Sequence, residues 1–181
     1  MVSQKTLFDC GANWMPEACE SAMPINQQLM HSSSELARLV DCWDRPQPFV
    51  ISLYALEDDI DSYQHVNNSV YVRWIDECAR QHSKAVGVDT DDAAELGYGM
   101  AVRESRISYH AAAHQGEKVL CGNWLTRCDG RLRATREFQI VRQSDCITLI
   151  RAELNYICIK IDSGKPTKMP SLFREKYVAR N

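Results

Sequence analysis

The side chains best suited to chemistry gather in one short stretch: Asp58, Asp59, Asp61, His65, Asn67 and Asn68. Carboxylates with an imidazole a few residues away offer a general base and a group to orient it. The stretch feeds directly into an amphipathic segment. If that segment is helical, the cluster stands at a helix N-terminus, whose free N–H groups and positive dipole end can hold a developing oxyanion. Asp, Asn and Ser are equally the residues that turns and N-caps use, so spacing alone leaves the catalytic and capping readings level. Elsewhere, His110 and His114 have the i,i+4 spacing of a helical zinc site. Their segment reads as strand and turn with no third ligand, so a non-metal role is expected. Cys78 falls on the apolar face of the amphipathic segment. A papain-like pair with His65 would need a thiol near the helix start, and Cys78 sits almost three turns along, so packing is the simpler role.

The elements that must position the cluster are legible on either side. Phe49 to Leu56 reads FVISLYAL, an apolar run of strand length rich in β-branched and aromatic residues, which predicts a buried strand. Beyond the cluster, Tyr71, Trp74, Ile75, Cys78, His82, Ala85 and Val86 recur at helical spacing. They predict a long helix capped by Asn67, Asn68 or Ser69, stopped by Gly87, with Asp76 and Arg80 as an i,i+4 ion pair. A shorter acidic helical stretch ends at Gly97, and the remainder reads as strand. Asp129-Gly130 marks a hairpin. Leu132, Ala134, Phe138 and Ile140 then alternate with Arg131, Arg133, Glu137 and Gln139, a dry face and a wet one. Gln143-Ser144-Asp145 turns the chain into a strand from Cys146 to about Ile161. One strand, one long helix and about four antiparallel strands make an α+β domain, in which a single curved sheet covers a single helix. Long strands with open edges invite a partner, so a symmetric dimer is expected.

Composition sets the frame. The 181 residues are 45% hydrophobic and 25% charged with a net charge of -3, which fits one soluble globular domain with an appendage. Slight acidity disfavours nucleic acid as a partner. No apolar run approaches the roughly 18 residues of a membrane helix. The first residues fit neither a secretory signal nor a basic transit peptide, which places the chain in the cytoplasm. The charge is uneven: residues 1–47 hold three bases and six acids, the whole -3, and residues 48–181 are neutral. In that leader, Ser32 and Glu35 form a capping box, and Leu36, Leu39, Val40 and Trp43 share a face, predicting a short helix near residues 33–43. Arg45-Pro46-Gln47-Pro48 ends the leader, and residues 48–181 form the domain proper. From Lys160 onward six bases face two acids, an edge suited to phosphates. The eight cysteines are scattered without a C-x-x-C pair, so reduced, apolar thiols are expected rather than a disulfide framework.

The run from Asp59 to Trp74, DIDSYQHVNNSVYVRW, resembles the D-x-D-x-x-G/Q-H-V-N-N-x-x-Y signature of the hotdog-fold thioesterases. It is similar to the 4-hydroxybenzoyl-CoA thioesterase-like family, and Gln64-His65-Val66-Asn67-Asn68 looks like the plant acyl-carrier-protein thioesterases. Tyr109 to Glu117 looks like the family's Y-x-x-P-A-x-x-G-D, and Lys165 to Pro170 resembles its K-P-x-x-I-P. The resemblance covers about residues 48–175. It implies a hotdog fold, a long central helix wrapped by a curved antiparallel sheet of about five or six strands. It also implies a homodimer or homotetramer with sites at the subunit interface, hydrolysing acyl-CoA or acyl-carrier-protein thioesters with no metal and no cofactor. Asp61 would attack or activate water, and Asp59 would be structural. His65 would orient the reacting groups, and Asn68 would offer its backbone N–H to the thioester oxygen. Asn67 and Tyr71 would serve substrate binding, with Tyr71 packing the helix start. Departures are Gln64 for the bacterial Gly, Tyr63 for a plant Asn, Ala112 for Pro and Glu117 for Asp. Some members use a Glu elsewhere, which makes Glu77 and Glu104 possible helpers, although Glu77 suits a surface ion pair. Two alternatives are a dehydratase or hydratase on the same fold and a non-enzymatic acyl-binding module.

Overall fold

Six residues of the apolar run, Phe49–Tyr54, form strand β1. A 3-10 turn at Glu57–Asp59 and the reactive loop follow, and helix α1 then runs for 18 residues, Asn68–Ala85. A short helix α2 (Thr90–Glu95) leads into four strands, β2 (Tyr98–Tyr109), β3 (Lys118–Cys128), β4 (Arg133–Arg142) and β5 (Thr148–Lys160). Helix α3 (Ser171–Lys176), which periodicity did not signal, closes the fold. These elements come from a computed structural model that describes residues 41–179. The helix expected near residues 33–43 lies outside the described residues apart from its end.

All neighbouring strands are antiparallel, in the order β1-β3-β4-β5-β2, so β1 and β2 are the edges. Gly130 takes φ +63° in the β3–β4 turn, the left-handed conformation for which Asp-Gly is suited. One face of the sheet lies on α1. Tyr71, Trp74, Ile75 and Cys78 pack there among Ile51, Cys121, Phe138, Ile140, Ile150 and Leu154 in one buried cluster. Full burial of each large apolar side chain contributes about 1.5–3 kcal/mol, so packing rather than intrinsic propensity holds the helix. Toward its C-terminal end the buried line follows Ala79 and Ser83 instead of Ala85, which is exposed. The reason is α3, whose neighbour Tyr177 brings its hydroxyl 2.9 Å from Ser83 Oγ. Arg80 pairs with Glu77 rather than with Asp76.

Two expectations fail on the opposite face of the sheet, and for one reason. Gln139, placed on the wet face, is 2% exposed, and Cys42 and Cys146 form a disulfide across 104 residues. The end of the leader covers this face. Cys42, Val50, Leu120 and Val141 make a second buried cluster with Trp43 against it. Gln139 Nε2 donates to the Cys42 carbonyl at 3.1 Å, and its Oε1 accepts the Asp44 N–H at 2.9 Å. Arg45–Glu137 and Arg151–Asp44 ion pairs flank this patch. Cys146 itself has φ +60°, so β5 begins at Thr148 rather than at Cys146. The buried thiols of Cys78 and Cys121 behave as expected of packing residues: Cys78 Sγ donates to the Cys121 carbonyl at 3.3 Å.

Candidate active site

The reactive loop is built on Asp59. Its carboxylate is 4% exposed, accepts the Leu56 N–H at 3.0 Å, and pairs with Arg73 from the second turn of α1. Its own carbonyl accepts the Asn67 N–H at 2.9 Å. One buried residue thus ties the end of β1, the loop and the helix start together, which is the structural role assigned to it. Ile60 and Val66 then bridge in antiparallel fashion and close a tight loop, in which Asp61 N donates to the His65 carbonyl at 2.8 Å. Gln64 sits at φ +62° in that loop, which gives the physical reason for Gly at this place in the resembling sequences.

Asp61 is half-buried, and the loop fixes one of its oxygens. Oδ1 accepts the backbone N–H of Tyr63 at 2.8 Å and that of His65 at 3.4 Å. Oδ2 takes no hydrogen bond from the described residues. A carboxylate held by one oxygen and open at the other can accept a proton from water or add to an electrophilic carbon. Close by is the start of α1. Asn67 caps it, its Oδ1 accepting Ser69 N–H at 2.9 Å and Ser69 Oγ–H at 2.7 Å, and its carbonyl takes the Val70 N–H. Among the first three N–H groups of the helix, this leaves that of Asn68 without an acceptor among the described residues. An N–H at the positive end of an 18-residue helix is a suitable donor to a developing oxyanion.

Asp61, His65, Asn68 and Tyr71 line one open cavity of about 490 Å³, together with Tyr63, Tyr109 and His110. The structure therefore brings four of the five expected site residues to one place. Asn67 is not among the lining residues; it serves the site by fixing the helix start. Tyr71 is 2% exposed, and its hydroxyl accepts the Ala113 N–H at 2.8 Å, which anchors the loop after β2 to the helix. Burial pushes its phenol above the ordinary value. His65 meets His114 edge-on with ring centroids 5.1 Å apart, and His114 Nδ1 lies 3.2 Å from the Gln64 carbonyl. Residue spacing did not single out Tyr109 and His110 as cavity-lining groups; their place in the Tyr109–Glu117 motif was the available signal. Glu77 is engaged with Arg80 and Gln81, and Glu104 is exposed on β2. Among the described residues no group of three or more His, Cys, Asp or Glu could hold a metal ion, and no helix is long and apolar enough to cross a membrane.

Residues 56–177 match the family model described as the thioesterase-like superfamily. Among solved structures, a 1,4-dihydroxy-2-naphthoyl-CoA thioesterase from Synechocystis is similar at 17% identity over 72% of this chain and 96% of that chain, TM-score 0.66. A DHNA-CoA thioesterase from Staphylococcus aureus is similar at 20% identity over 66% of this chain and 78% of that chain, TM-score 0.62. An acyl-ACP thioesterase from Bacteroides thetaiotaomicron is similar at 19% identity over 65% of this chain and 48% of that chain, TM-score 0.59. At these identities the likeness concerns the fold, and the α+β hotdog arrangement is the one observed.

Proposed function

Given that the chain belongs to the thioesterase-like superfamily, we propose that it hydrolyses acyl-CoA thioesters, with Asp61 as the reacting carboxylate. The observation that carries this reading is the pairing of an open Asp61 oxygen with the unengaged Asn68 N–H beside one cavity. A thioester is already activated, so a positioned carboxylate and one helix-end donor suffice for its hydrolysis. Either water adds to the carbonyl carbon, its proton passing to Asp61, or Asp61 adds in its place; the carbonyl oxygen becomes an oxyanion at the Asn68 N–H, and its collapse breaks the C–S bond to release the thiol. The first route yields the acid at once; the second leaves an anhydride on Asp61, which water hydrolyses to the acid and the free carboxylate. His65 and His110 border the same space and can orient the thioester or carry the proton to the departing sulfur. CoA rather than a carrier protein is the thiol of this reading, because two of the similar structures are CoA thioesterases by name.

A homodimer through β2 completes the proposal. This edge strand of twelve residues leaves Val102 and Tyr109 each 45% exposed, and its last residue, Tyr109, lines the cavity. A second copy added along that edge would stand beside the site. The experiment is a panel of aliphatic and aromatic acyl-CoAs with spectrophotometric detection of free thiol. Thiol release from at least one member supports hydrolysis. Hydration of an enoyl-CoA without thiol release would favour a hydratase, and binding without turnover would favour an acyl-binding module.

A further inference from the structure

The core-facing row of β4 reads Ala134, Arg136, Phe138, Ile140, so an arginine stands where the alternation asks for an apolar side chain. Arg136 is 3% exposed. Its Nη1 donates to His82 Nδ1 at 2.8 Å and to Asn123 Oδ1 at 3.4 Å, and its Nη2 donates to Ser83 Oγ at 3.0 Å. Its guanidinium carbon lies 5.2 Å from the centre of the Tyr177 ring. All of these partners are neutral; the histidine nitrogen must be unprotonated, because a guanidinium only donates. Among the described residues no carboxylate forms an ion pair with it. A guanidinium cannot shed its proton, so this is a permanent buried charge with no ion-paired carboxylate among the described residues, an arrangement that is costly unless something else supplies one.

A second anomaly adjoins the first. Tyr156, on β5 opposite Ala134, is 9% exposed, and its hydroxyl is buried with no hydrogen-bond partner among the described residues. Burial also pushes this phenol far up, so it remains a donor. Arg136 and Tyr156 both line a cavity of about 210 Å³ whose remaining wall is largely apolar, with Ala79, Met100 and Phe173. That is below the roughly 300 Å³ at which drug-sized pockets begin, so its ligand is small. Asp76 and Arg80, both exposed, also line it, and Arg80 is tied to Glu77. Asp76 therefore brings one exposed carboxylate to the lining, and Arg136 is the buried charge. Ser83, on the same cavity, lies 15 residues beyond Asn68 on α1, roughly 22 Å along the helix axis, so within one chain this is not the Asp61 cavity.

We infer that this cavity binds a small monocarboxylate with an apolar body, its carboxylate against Arg136 and the Tyr156 hydroxyl. One buried guanidinium matches one carboxylate in charge and in planar geometry. The phenol supplies a third donor, and the apolar wall takes the hydrocarbon. A dianion such as phosphate would find as a second cation on this lining the exposed Arg80, already paired with Glu77, and a largely apolar wall.

The test uses the full-length protein with benzoate and hexanoate as probes, benzamide and hexanamide as neutral counterparts, and inorganic phosphate, read by calorimetry and thermal shift. The acids bind and raise the melting temperature, and the amides and phosphate do not. Tyr156→Phe keeps the fold and weakens acid binding by about tenfold or more, the effect of one hydrogen bond to a charged acceptor. Arg136→Met abolishes binding; should it not fold, Tyr156→Phe carries the test alone. Asp61→Asn leaves binding unchanged, so the result stands apart from the thioesterase reading. No acid binding, equal binding of acids and amides, preference for phosphate, or wild-type affinity in Tyr156→Phe would each overturn the assignment.

Discussion

Replacing Tyr71 with phenylalanine tests whether the site is framed by buried hydrogen bonds rather than by the substrate. The ring stays, along with its edge contacts to Trp74 and Tyr109 at centroid distances of 5.3 and 5.9 Å, so no cavity opens. What goes is the acceptor for the Ala113 N–H, on a residue that is 0% exposed. An orphaned buried donor costs about 1–3 kcal/mol. For a chain of this size that is a fall in Tm of about 2–12 °C, at roughly 2–4 °C per kcal/mol. Urea unfolding should show a lower midpoint with an unchanged slope, because the exposed surface is the same. Tyr156→Phe supplies an internal control of opposite sign. Its hydroxyl has no partner among the described residues to lose, so without ligand the substitution should be neutral or stabilising. In hydrolysis, Tyr71→Phe should reduce kcat more than it raises KM, since the loop bearing His110 loosens while the cavity stays open. If Tyr71→Phe unfolds at the wild-type midpoint, the hydrogen bond does not brace the site and the reasoning fails.

Other outcomes follow from the same geometry. Asp59→Asn, by weakening the pair with Arg73 in a buried place, should destabilise by about 1–3 kcal/mol and reduce activity through the loop, both visible in one series of melts and thiol assays. The Cys42–Cys146 disulfide closes 104 residues, for which chain entropy gives about 4.7 kcal/mol as a ceiling. Reductant should therefore lower the wild-type Tm, and Cys42→Ser should start lower and no longer respond to reductant. The Arg151 guanidinium bonded to Asp44 holds its carboxyl below the ordinary carboxylate range. Its contribution is present in full above the unfolded value and is lost as pH falls through the lower folded value. The pair is half exposed, so Asp44→Asn should give only a slightly flatter acid limb in a pH series of melts.

What could be read without the fold was what neighbours in sequence decide. Asp129-Gly130 and the three- and four-residue recurrence from Tyr71 are local signals, and the hairpin and α1 stand where those signals put them. The Asp59–Tyr71 run was equally local, because loop and helix start are adjacent in the chain. What escaped depends on distant partners. Gln139 reads as a surface residue until Cys42 and Asp44, 97 and 95 positions away, cover it. The pairing of two scattered cysteines is invisible for the same reason. Arg136 breaks the alternation of β4 in plain view, but its meaning depends on Ser83 and Tyr156, which only packing brings to it. Helix α3 is six residues long and too short for periodicity to declare it.

In the proposed mechanism Asp61 carries the chemistry while Asp59 carries the fold. Steady-state thiol release from an acyl-CoA that the wild type cleaves, compared with Asp61→Asn, tests this most directly. Removing the reacting carboxylate should lower kcat/KM by about 10²–10⁴, the usual worth of a positioned acid–base group. The unfolding free energy should stay within about 0.5 kcal/mol of wild type, because Oδ1 bonds only loop N–H groups that an amide oxygen can also accept. Thiol release at the wild-type rate by a folded Asp61→Asn protein would contradict the account.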